Sequence, residues 1–304
     1  MGIRLSSGRS SAVLAGAACV FAFALFPAVT HADTATCSYN AGAHTATVML
    51  TAQPLSQGTS MGIRSSDGAL LVQSGPAATP CGAATRTNLD TINVVSTNAA
   101  SNGAIFRVAT HGFEPGFTNE PGGSDEIEMS FDFSSGGRWT LAPDASGSSL
   151  PIDMALGGNQ INFNRSETDG VDADATVTGA AEVFVYGSNA GDAILGNGGF
   201  GTTGGQFAIR MVVSSGPGPD LISGGRRADD LSGGLDADLI FGGRGRDSLK
   251  GLAGIDRLFG QAGNDKLLGG TGRDRLNGGA GRADACTSKH DRVRNCELPA
   301  KDKP

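Results

Sequence analysis

The 304-residue sequence has few of the side chains from which common active sites are built. It contains one tryptophan, two tyrosines and four histidines. None of the histidines belongs to an H-E-x-x-H motif, which excludes the zinc proteases that use it. No C-x-x-C pair is present, so a cysteine metal site is not indicated. No phosphate loop and no dinucleotide fingerprint occurs in the required strand and helix context.

One short motif keeps an enzymatic alternative open. Residues 58–62 fit G-x-S-x-G, with Ser60 in the place of the nucleophile. That motif requires a strand-to-helix turn, and no helical pattern follows it here. With 48 glycines in the chain, such a match is also expected by chance. We therefore predict no enzymatic activity. The alternative is a secreted hydrolase with its catalytic residues in 33–214, where Ser60 and His111 would be tested first.

Positive charge is also scarce. The chain has 23 Lys and Arg against 30 Asp and Glu, a net charge of −7. Residues 33–214 hold 17 of the acids and only 6 of the bases. A nucleic-acid partner requires a basic footprint, so this composition argues against one. The same excess of carboxylates suits a protein that binds cations.

Glycine and aspartate, by contrast, are abundant and regularly spaced near the C-terminus. Aspartates recur every nine residues, each at the sixth position of a glycine-rich unit. A fixed short period indicates one structural unit stacked on itself. Seven units cover residues 215–277, and an eighth, 278–286, moves its acid by one position to Asp284. The seven periodic aspartates are Asp220, Asp229, Asp238, Asp247, Asp256, Asp265 and Asp274.

Each unit predicts one turn and one short strand. The first six residues favour a turn because glycine allows positive φ and close backbone approach. The last three place a large aliphatic residue between two outward-facing neighbours, as the period of two in a strand requires. Two units would close one coil of a flattened right-handed solenoid, with coils about 4.8 Å apart. The inward aliphatic residues are Ile222, Leu231, Ile240, Leu249, Leu258, Leu267 and Leu276.

This stacking places the aspartates in two rows. Carboxylates in one row would be roughly 5 Å apart, and at an effective dielectric near 20 they would repel by about 3 kcal/mol per pair at most. A hard divalent cation between successive turns would compensate, and about six to eight carboxylate and carbonyl oxygens in tolerant geometry suit Ca²⁺. One row contains Asp220, Asp238, Asp256 and Asp274; the other contains Asp229, Asp247 and Asp265, with Asp284 as an imperfect end.

The units resemble the RTX, or hemolysin-type, calcium-binding repeat G-G-x-G-x-D-x-U-x. The best matches are GGRGRDSLK at 242–250 and GGTGRDRLN at 269–277. The resemblance implies a parallel β-roll that holds Ca²⁺ between the turns of adjacent coils. The alternative is a metal-free ladder in which Lys and Arg side chains pair with the aspartates, although exposed pairs contribute only about 0–1 kcal/mol each.

Several turns depart from the repeat pattern. Arg227 and Asp236 replace the glycine at the fourth position, and Leu252 and Gln261 replace the second residue. Ser215 replaces the first residue of its unit. We expect sites that use these turns to be weak or empty.

Residues 33–214 show no helical periodicity. Alternating segments at 44–50, 91–95 and 182–186 predict strands, and the turn residues between them indicate an all-β region. Gly187 to Leu195 resembles an isolated repeat unit with Asp192 at the aspartate position. We interpret 120–214 as a degenerate, wider-coiled β-solenoid that leads into the roll. A separate β-sandwich or jelly roll is the competing interpretation.

The N-terminus has the pattern of a secretory signal. Arg4 and Arg9 precede an apolar run from Ala12 to Phe26, which is too short to span a membrane. We expect cleavage near Ala32 and a secreted, extracellular protein. An uncleaved anchor is the alternative.

Cleavage would leave an even number of cysteines, which in a secreted chain indicates disulfides. The four are Cys37, Cys81, Cys286 and Cys296, and they allow three pairings. We favour the local pairs Cys37–Cys81 and Cys286–Cys296. The second pair would lock a cap on the last coil, which would otherwise expose an unpaired strand edge.

The sequence therefore predicts an all-β protein with a C-terminal parallel β-roll. Its expected segments are a signal peptide at 1–32, a β-rich region at 33–119, the degenerate solenoid at 120–214, the roll at 215–286 and a cap and tail at 287–304. The predicted metal ligands are the seven periodic aspartates and the first glycines of the turns, Gly224, Gly233, Gly242, Gly251, Gly260 and Gly269.

Calcium ions are the predicted cofactor and partner, and their binding is expected to be coupled to folding. The rows allow up to five sites between paired aspartates. The expected role is structural, adhesive or binding, with a cell-surface or extracellular-matrix component as a further partner. We expect neither a nucleic-acid partner nor stable membrane insertion.

Overall fold

The structure of the chain is a computed structural model. It describes residues 34–51, 59–74, 77–97, 102–109, 127–134, 138–163, 175–198, 202–287 and 291–297. The predicted signal segment, His111 and His290 lie outside the described residues. Within the described ranges the regular secondary structure is entirely β. They contain no helix with the length and apolarity that a membrane span requires.

The described residues form 24 strands in chain order. They are β1 (Thr34–Asn40), β2 (Thr45–Thr51), β3 (Thr59–Ile63), β4 (Ala69–Gln73), β5 (Ala78–Thr85), β6 (Thr91–Ser96), β7 (Asn102–Ala109), β8 (Glu128–Asp132), β9 (Arg138–Asp144), β10 (Asp153–Gly157), β11 (Gln160–Asn162), β12 (Ala175–Thr178), β13 (Glu182–Tyr186), β14 (Ala193–Leu195), β15 (Arg210–Gly216), β16 (Leu221–Ser223), β17 (Asp230–Leu235), β18 (Leu239–Arg244), β19 (Ser248–Ala253), β20 (Arg257–Ala262), β21 (Lys266–Thr271), β22 (Arg275–Ala280), β23 (Ala285–Thr287) and β24 (Arg292–Arg294).

The strands form two long sheets. The first has the order β1-β2-β6-β8-β12-β11-β10-β14-β16-β18-β20-β22-β24, and the second β23-β21-β19-β17-β15-β13-β9-β7-β3-β4-β5. From β14 and β13 onward the chain alternates between the sheets, and each strand pairs in parallel with the next in its sheet. Antiparallel pairs occur at β1–β2, β3–β4–β5 and β10–β11–β12. This topology confirms the predicted parallel roll.

The strands upstream of the repeats belong to the same two sheets. The predicted strands at 44–50, 91–95 and 182–186 are observed as β2, β6 and β13. β13 pairs in parallel with β15, which enters the roll, and with β9 on its other side. The described strands upstream of the repeats therefore continue the sheets of the roll. The assignment of 120–214 as a degenerate solenoid stays a prediction.

The coils shorten toward the C-terminus. In the first sheet Thr45 pairs with Thr91, far along the chain. Ala193 pairs with Leu221 across a shorter stretch, and Leu221 pairs with Leu239 across a shorter one still. The last step is twice the nine-residue period, so one coil of the roll contains two repeat units, as predicted.

A single apolar core runs between the sheets. It extends from Ala46 near the N-terminus to Cys286 in β23. Upstream it contains large side chains, including Phe106 and Phe131, whereas in the roll it consists mainly of one aliphatic residue per strand. All seven predicted inward aliphatic residues are at most 1 % exposed. The period of two predicted for each strand is therefore confirmed.

Both predicted cysteine pairs are close enough to bond. The Cα atoms of Cys37 and Cys81 are 5.2 Å apart, and those of Cys286 and Cys296 are 5.8 Å apart, with both pairs joined as disulfides. The first disulfide joins β1 to β5 across the ends of the two sheets. The second ties the segment after β24 to β23.

The turns keep a left-handed backbone even where glycine is missing. Gly243, Gly270 and Gly279, at the second position of their units, have φ near +100°. Leu252 and Gln261 occupy the same position with φ of +78° and +71°. A side chain in this region costs about 1–2 kcal/mol. The fold therefore tolerates these departures by imposing strain on them.

Replacing Leu252 by glycine should relieve this strain. We expect Leu252→Gly to raise the free energy of unfolding of the roll by about 1 kcal/mol, since the exposed leucine loses few contacts. Ile255→Gly is the matched control, because Ile255 is exposed in the same turn without a positive φ. The control should lower stability by about 0.5–1 kcal/mol through backbone entropy. Urea unfolding at saturating Ca²⁺ measures the free energy of unfolding of both variants. Equal losses of stability in the two variants would show that the backbone at Leu252 is not strained.

Candidate metal centre

The periodic aspartates lie in two buried rows. All seven are between 0 and 3 % exposed, although each sits in a turn just before a strand. Asp284 is equally buried at 1 %, so the one-residue shift in the eighth unit does not remove it from its row. The row assignment predicted from the period is thus what the fold produces.

One oxygen of each carboxylate continues a hydrogen-bond ladder along its row. The backbone N–H of each aspartate donates to Oδ1 of the aspartate one coil further on. Asp238 N donates to Asp256 Oδ1 at 2.9 Å, and Asp256 N donates to Asp274 Oδ1 at 3.0 Å. In the other row Asp247 N donates to Asp265 Oδ1 at 2.9 Å. The ladder fixes each carboxylate against the coil before it.

The second carboxylate oxygen has no such donor in most of the turns. Six of the seven Oδ2 atoms are buried without a hydrogen-bond partner; they belong to Asp220, Asp238, Asp247, Asp256, Asp265 and Asp274. An unsatisfied buried polar atom costs about 1–3 kcal/mol, and more when it is charged. Native proteins contain few such atoms. A regular series of six indicates a common partner that belongs at these positions.

The space in front of these oxygens exists because most of the turns begin with glycine. A Cβ on Gly251 would lie 2.2 Å from Asp256 Oδ2 and 2.5 Å from the Gly269 carbonyl oxygen. A Cβ on Gly260 would meet Asp265 Oδ2 at 2.5 Å and the Gly278 carbonyl oxygen at 2.4 Å. A carboxylate oxygen and a carbonyl oxygen from the next coil therefore face one small space, here called a cradle, beside each of these glycines.

The same cradle recurs in other turns. Beside Gly242 a Cβ would meet Asp247 Oδ2 at 2.7 Å and the Gly260 carbonyl oxygen at 2.6 Å. The predicted glycines thus have two roles in this arrangement: Gly260, for example, leaves space in its own turn and presents its carbonyl to the preceding coil. Any side chain at the first position would fill the space between the oxygens.

In the first turns of the roll, protein donors occupy some of the oxygens, although Asp220 Oδ2 itself has no donor. The Ser215 hydroxyl, where other units have glycine, donates to the Gly233 carbonyl oxygen at 2.5 Å. Asp229 Oδ2 accepts the Gly225 N–H at 2.8 Å. The expected weakness of the site at the Ser215 unit stays a prediction.

In the isolated unit upstream, hydrogen-bond donors satisfy both carboxylate oxygens of Asp192. Asp192 Oδ2 accepts the Ser188 N–H at 2.7 Å, and its Oδ1 accepts the Ser188 hydroxyl at 2.7 Å and the Ile152 N–H at 2.8 Å. Asp192 also joins the first row, because its N–H donates to Asp220 Oδ1 at 2.7 Å. The row therefore begins with a carboxylate whose two oxygens both have donors.

Burial raises the pKa of the row aspartates. The pKa of Asp247 is raised to about 8 and that of Asp238 to about 7, chiefly because burial disfavours the charged form. Backbone N–H donors lower both pKa values, and neighbouring row carboxylates raise them again. Burial also raises the pKa of Asp220, Asp229 and Asp265 to about 6, and raises the pKa of Asp256 and Asp274.

The donor set suits a hard cation. Each cradle offers carboxylate and carbonyl oxygens, the ligands that Ca²⁺ and similar ions prefer. No group of three or more His, Cys, Asp or Glu side chains converges anywhere in the described ranges, so main-chain oxygens must supply much of any coordination shell. The orphaned Oδ2 atoms and the glycine spaces both fit such an ion.

The enzymatic alternative gains no geometric support at Ser60. This residue is the second of β3, with its neighbours buried on either side, and β3 runs through a turn into β4. A nucleophile elbow requires a strand-to-helix turn at the serine. His111, the other candidate, lies outside the described residues.

Sequence reasoning missed three members of the rows. Asp284 N donates to Glu297 Oε2 at 2.9 Å, and Asp274 N donates to Asp291 Oδ1 at 3.0 Å. Asp291 and Glu297 thus end the two ladders from outside the repeats. No glycine pattern surrounds them. The only signal in the sequence is their position near the predicted disulfide, since Glu297 directly follows Cys296 and Asp291 lies five residues before it. Asp192 was noticed as an echo of the repeat but not placed in a row.

The raised pKa values predict opposite effects of pH with and without metal. The stability that protonation gives to the metal-free roll is complete below the unfolded pKa of about 4 and is lost as pH rises through about 6 to 8. Metal-stripped protein should therefore gain resistance to urea between pH 8 and pH 5.5. The affinity for Ca²⁺ should fall by at least ~10-fold over the same change, because the ligands must lose their protons. Urea and Ca²⁺ titrations at both pH values test this, and equal urea midpoints in the stripped protein would contradict the burial argument.

The repeats match the model of a known protein family. The family model for four copies of the RTX calcium-binding nonapeptide repeat matches residues 214–249 and, a second time, residues 250–282. No curated protein matches the chain. The two matched ranges contain all seven periodic aspartates, and RTX nonapeptide repeats are calcium-binding motifs. Over residues 214–282 the chain therefore consists of RTX calcium-binding nonapeptide repeats of the hemolysin type.

Proposed function

We propose that the protein is a secreted calcium-binding protein whose roll folds when extracellular Ca²⁺ enters the cradles. The observation that carries this proposal is the series of six buried Oδ2 atoms without donors, in turns built from calcium-binding repeats. In this proposal the ligands are the row aspartates from Asp220 to Asp274 and the carbonyl oxygens of the turn glycines Gly224, Gly233, Gly242, Gly251, Gly260 and Gly269.

The coupling of folding to calcium follows from the energetics of the rows. Without a cation, each coil adds a buried carboxylate whose second oxygen is unsatisfied, and glycine-rich turns lose much conformational entropy on folding. The roll offers only one buried aliphatic residue per strand in return. Metal binding then supplies free energy of folding, since the sites do not exist in the unfolded chain.

The coils upstream of the repeats should not need the metal. They enclose large side chains such as Phe106, Phe131 and Phe207, all fully buried. Asp192, which occupies the aspartate position there, has hydrogen-bond donors on both oxygens. A sheet edge that is already folded would serve as the template on which the first coils of the roll assemble.

An extracellular location fits both the disulfides and the affinity that such sites need. Disulfides persist in oxidising compartments, and the chain forms two. Extracellular calcium modules typically have affinities of about 10⁻⁴–10⁻³ M. A protein that becomes rigid only outside the cell would suit a structural, adhesive or binding role at a cell surface or in an extracellular matrix.

Substituting one row carboxylate should weaken calcium-dependent folding. In the wild type we expect a cooperative gain of β signal in far-UV circular dichroism at sub-millimolar to millimolar Ca²⁺, and none with Mg²⁺. Asp256→Asn keeps an acceptor for the Asp238 N–H but loses the charge, so its Ca²⁺ midpoint should rise about 10-fold.

Asp230→Asn is the matched control for that variant. Asp230 lies beside the row on the surface, where its carboxylate pairs with Lys250 at 2.9 Å. Its midpoint should change by less than about 2-fold. A full β spectrum in calcium-free buffer that Ca²⁺ does not change would refute calcium-coupled folding. Equal shifts in the two variants would refute the assignment of Asp256 as a ligand.

A further inference from the structure

The last turn of the first row differs from those before it in the oxygen that faces its glycine. A Cβ on Gly269 would meet Asp274 Oδ2 at 2.3 Å, as in the earlier turns. The second oxygen there is Asp291 Oδ2, at 2.9 Å, where the turns that begin with Gly242, Gly251 and Gly260 present a carbonyl. Asp291 lies beyond the residues that the repeat model matches. Two carboxylates therefore face the same space at this end of the roll.

Asp274 Oδ2 is aimed into that space without another partner. The side chain of Asp274 is 1 % exposed, and this oxygen has no hydrogen-bond donor. Its Oδ1 is already engaged by the Asp256 N–H at 3.0 Å. Two acidic groups held together, one of them buried, repel each other unless a cation or a proton lies between them.

The segment that carries Asp291 is held firmly against the last coil. β24 pairs in parallel with β22, so that Leu276 lies opposite Val293. Asp291 Oδ1 accepts the Asp274 N–H at 3.0 Å, and the Arg292 N–H donates to the Asp274 carbonyl at 2.9 Å. The disulfide between Cys286 and Cys296 closes the segment onto β23. Residues 291–297, here called the capping segment, thus continue the stacking in the first sheet without the repeat sequence.

The capping segment reproduces the second row as well. A Cβ on Gly278 would meet Asp284 Oδ2 at 2.6 Å and the carbonyl oxygen of Asn295 at 2.1 Å. Asn295 has a φ of +51°, in the left-handed region that glycine occupies in the repeats. Glu297 Oε2 accepts the Asp284 N–H at 2.9 Å. Both hydrogen-bond ladders therefore end at residues outside the repeats.

We infer that Asp291 is a calcium ligand and that, with Asp274, it forms a terminal site with two carboxylates. This inference rests on the proposed function, because it assigns calcium to the space beside Gly269. Affinity of calcium sites rises with the number of charged ligands. The cradles beside Gly251 and Gly260 present one carboxylate and one carbonyl, whereas the terminal site presents two carboxylates. The terminal site binds calcium more tightly than those cradles.

The test compares Ca²⁺ binding by the full chain and two variants, measured by competition with a chelator of known affinity. Asp291→Asn removes the charge but keeps an acceptor for the Asp274 N–H. Glu297→Gln is the matched control, because it removes one charge from the same segment and keeps an acceptor for the Asp284 N–H. Hydrogen exchange of β24 reports, for each variant, whether the capping segment remains docked.

We expect the wild type to bind one Ca²⁺ at least ~10-fold more tightly than the remainder. Asp291→Asn should lose this tight class, with β24 still protected at saturating Ca²⁺, while Glu297→Gln retains it. Binding constants in Asp291→Asn equal to those of the wild type would overturn the terminal site and leave the proposed function intact. Equal loss of Ca²⁺ affinity in both variants would mean that only the charge of the segment matters, and it would also overturn the terminal site. A wild type that binds no Ca²⁺ would refute the proposed function itself.

Discussion

The roll depends on how its buried carboxylate oxygens are satisfied. Each coil brings aspartates into the interior at the edge of the sheets, where one oxygen continues a hydrogen-bond ladder and the other faces a space beside glycine. The remaining features of the repeat follow from that arrangement. Glycine at the first position leaves the space, left-handed turns aim carbonyl oxygens toward it, and a single aliphatic residue per strand closes the core.

Different parts of the chain meet that requirement in different ways. At Asp192, side-chain and backbone donors satisfy both oxygens. At Asp229 a backbone N–H is the donor to the second oxygen, and in later turns such as that of Asp247 this donor is absent. The capping segment then ends both ladders with Asp291 and Glu297. The second oxygens of Asp220 and of every row aspartate from Asp238 to Asp274 are therefore the ones that need a cation.

Much of the roll could be predicted from the sequence because its unit is local. A period of nine fixes both the turn that contains Asp247 and the strand that buries Leu249, and one coil is two such units. The upstream pairing could not be predicted in the same way. The chain between β13 and its partner β15 is longer than one coil of the roll and has no regular repeat. The pairing of these strands therefore depends on tertiary packing that no local pattern encodes. The capping segment was missed because Asp291 has no glycine-rich context, although the predicted disulfide correctly placed a cap there.

Hydrogen exchange of the whole chain with and without Ca²⁺ tests the central claim most directly. The account predicts that amides of the described strands β1 to β14 are protected in both conditions. Amides of the described strands β16 to β24 should exchange rapidly in calcium-free buffer at pH 8 and become protected when Ca²⁺ is added. Protection of the roll in calcium-free buffer, equal to that in Ca²⁺, would contradict it. The unsatisfied oxygens would then cost too little for the fold to require a metal.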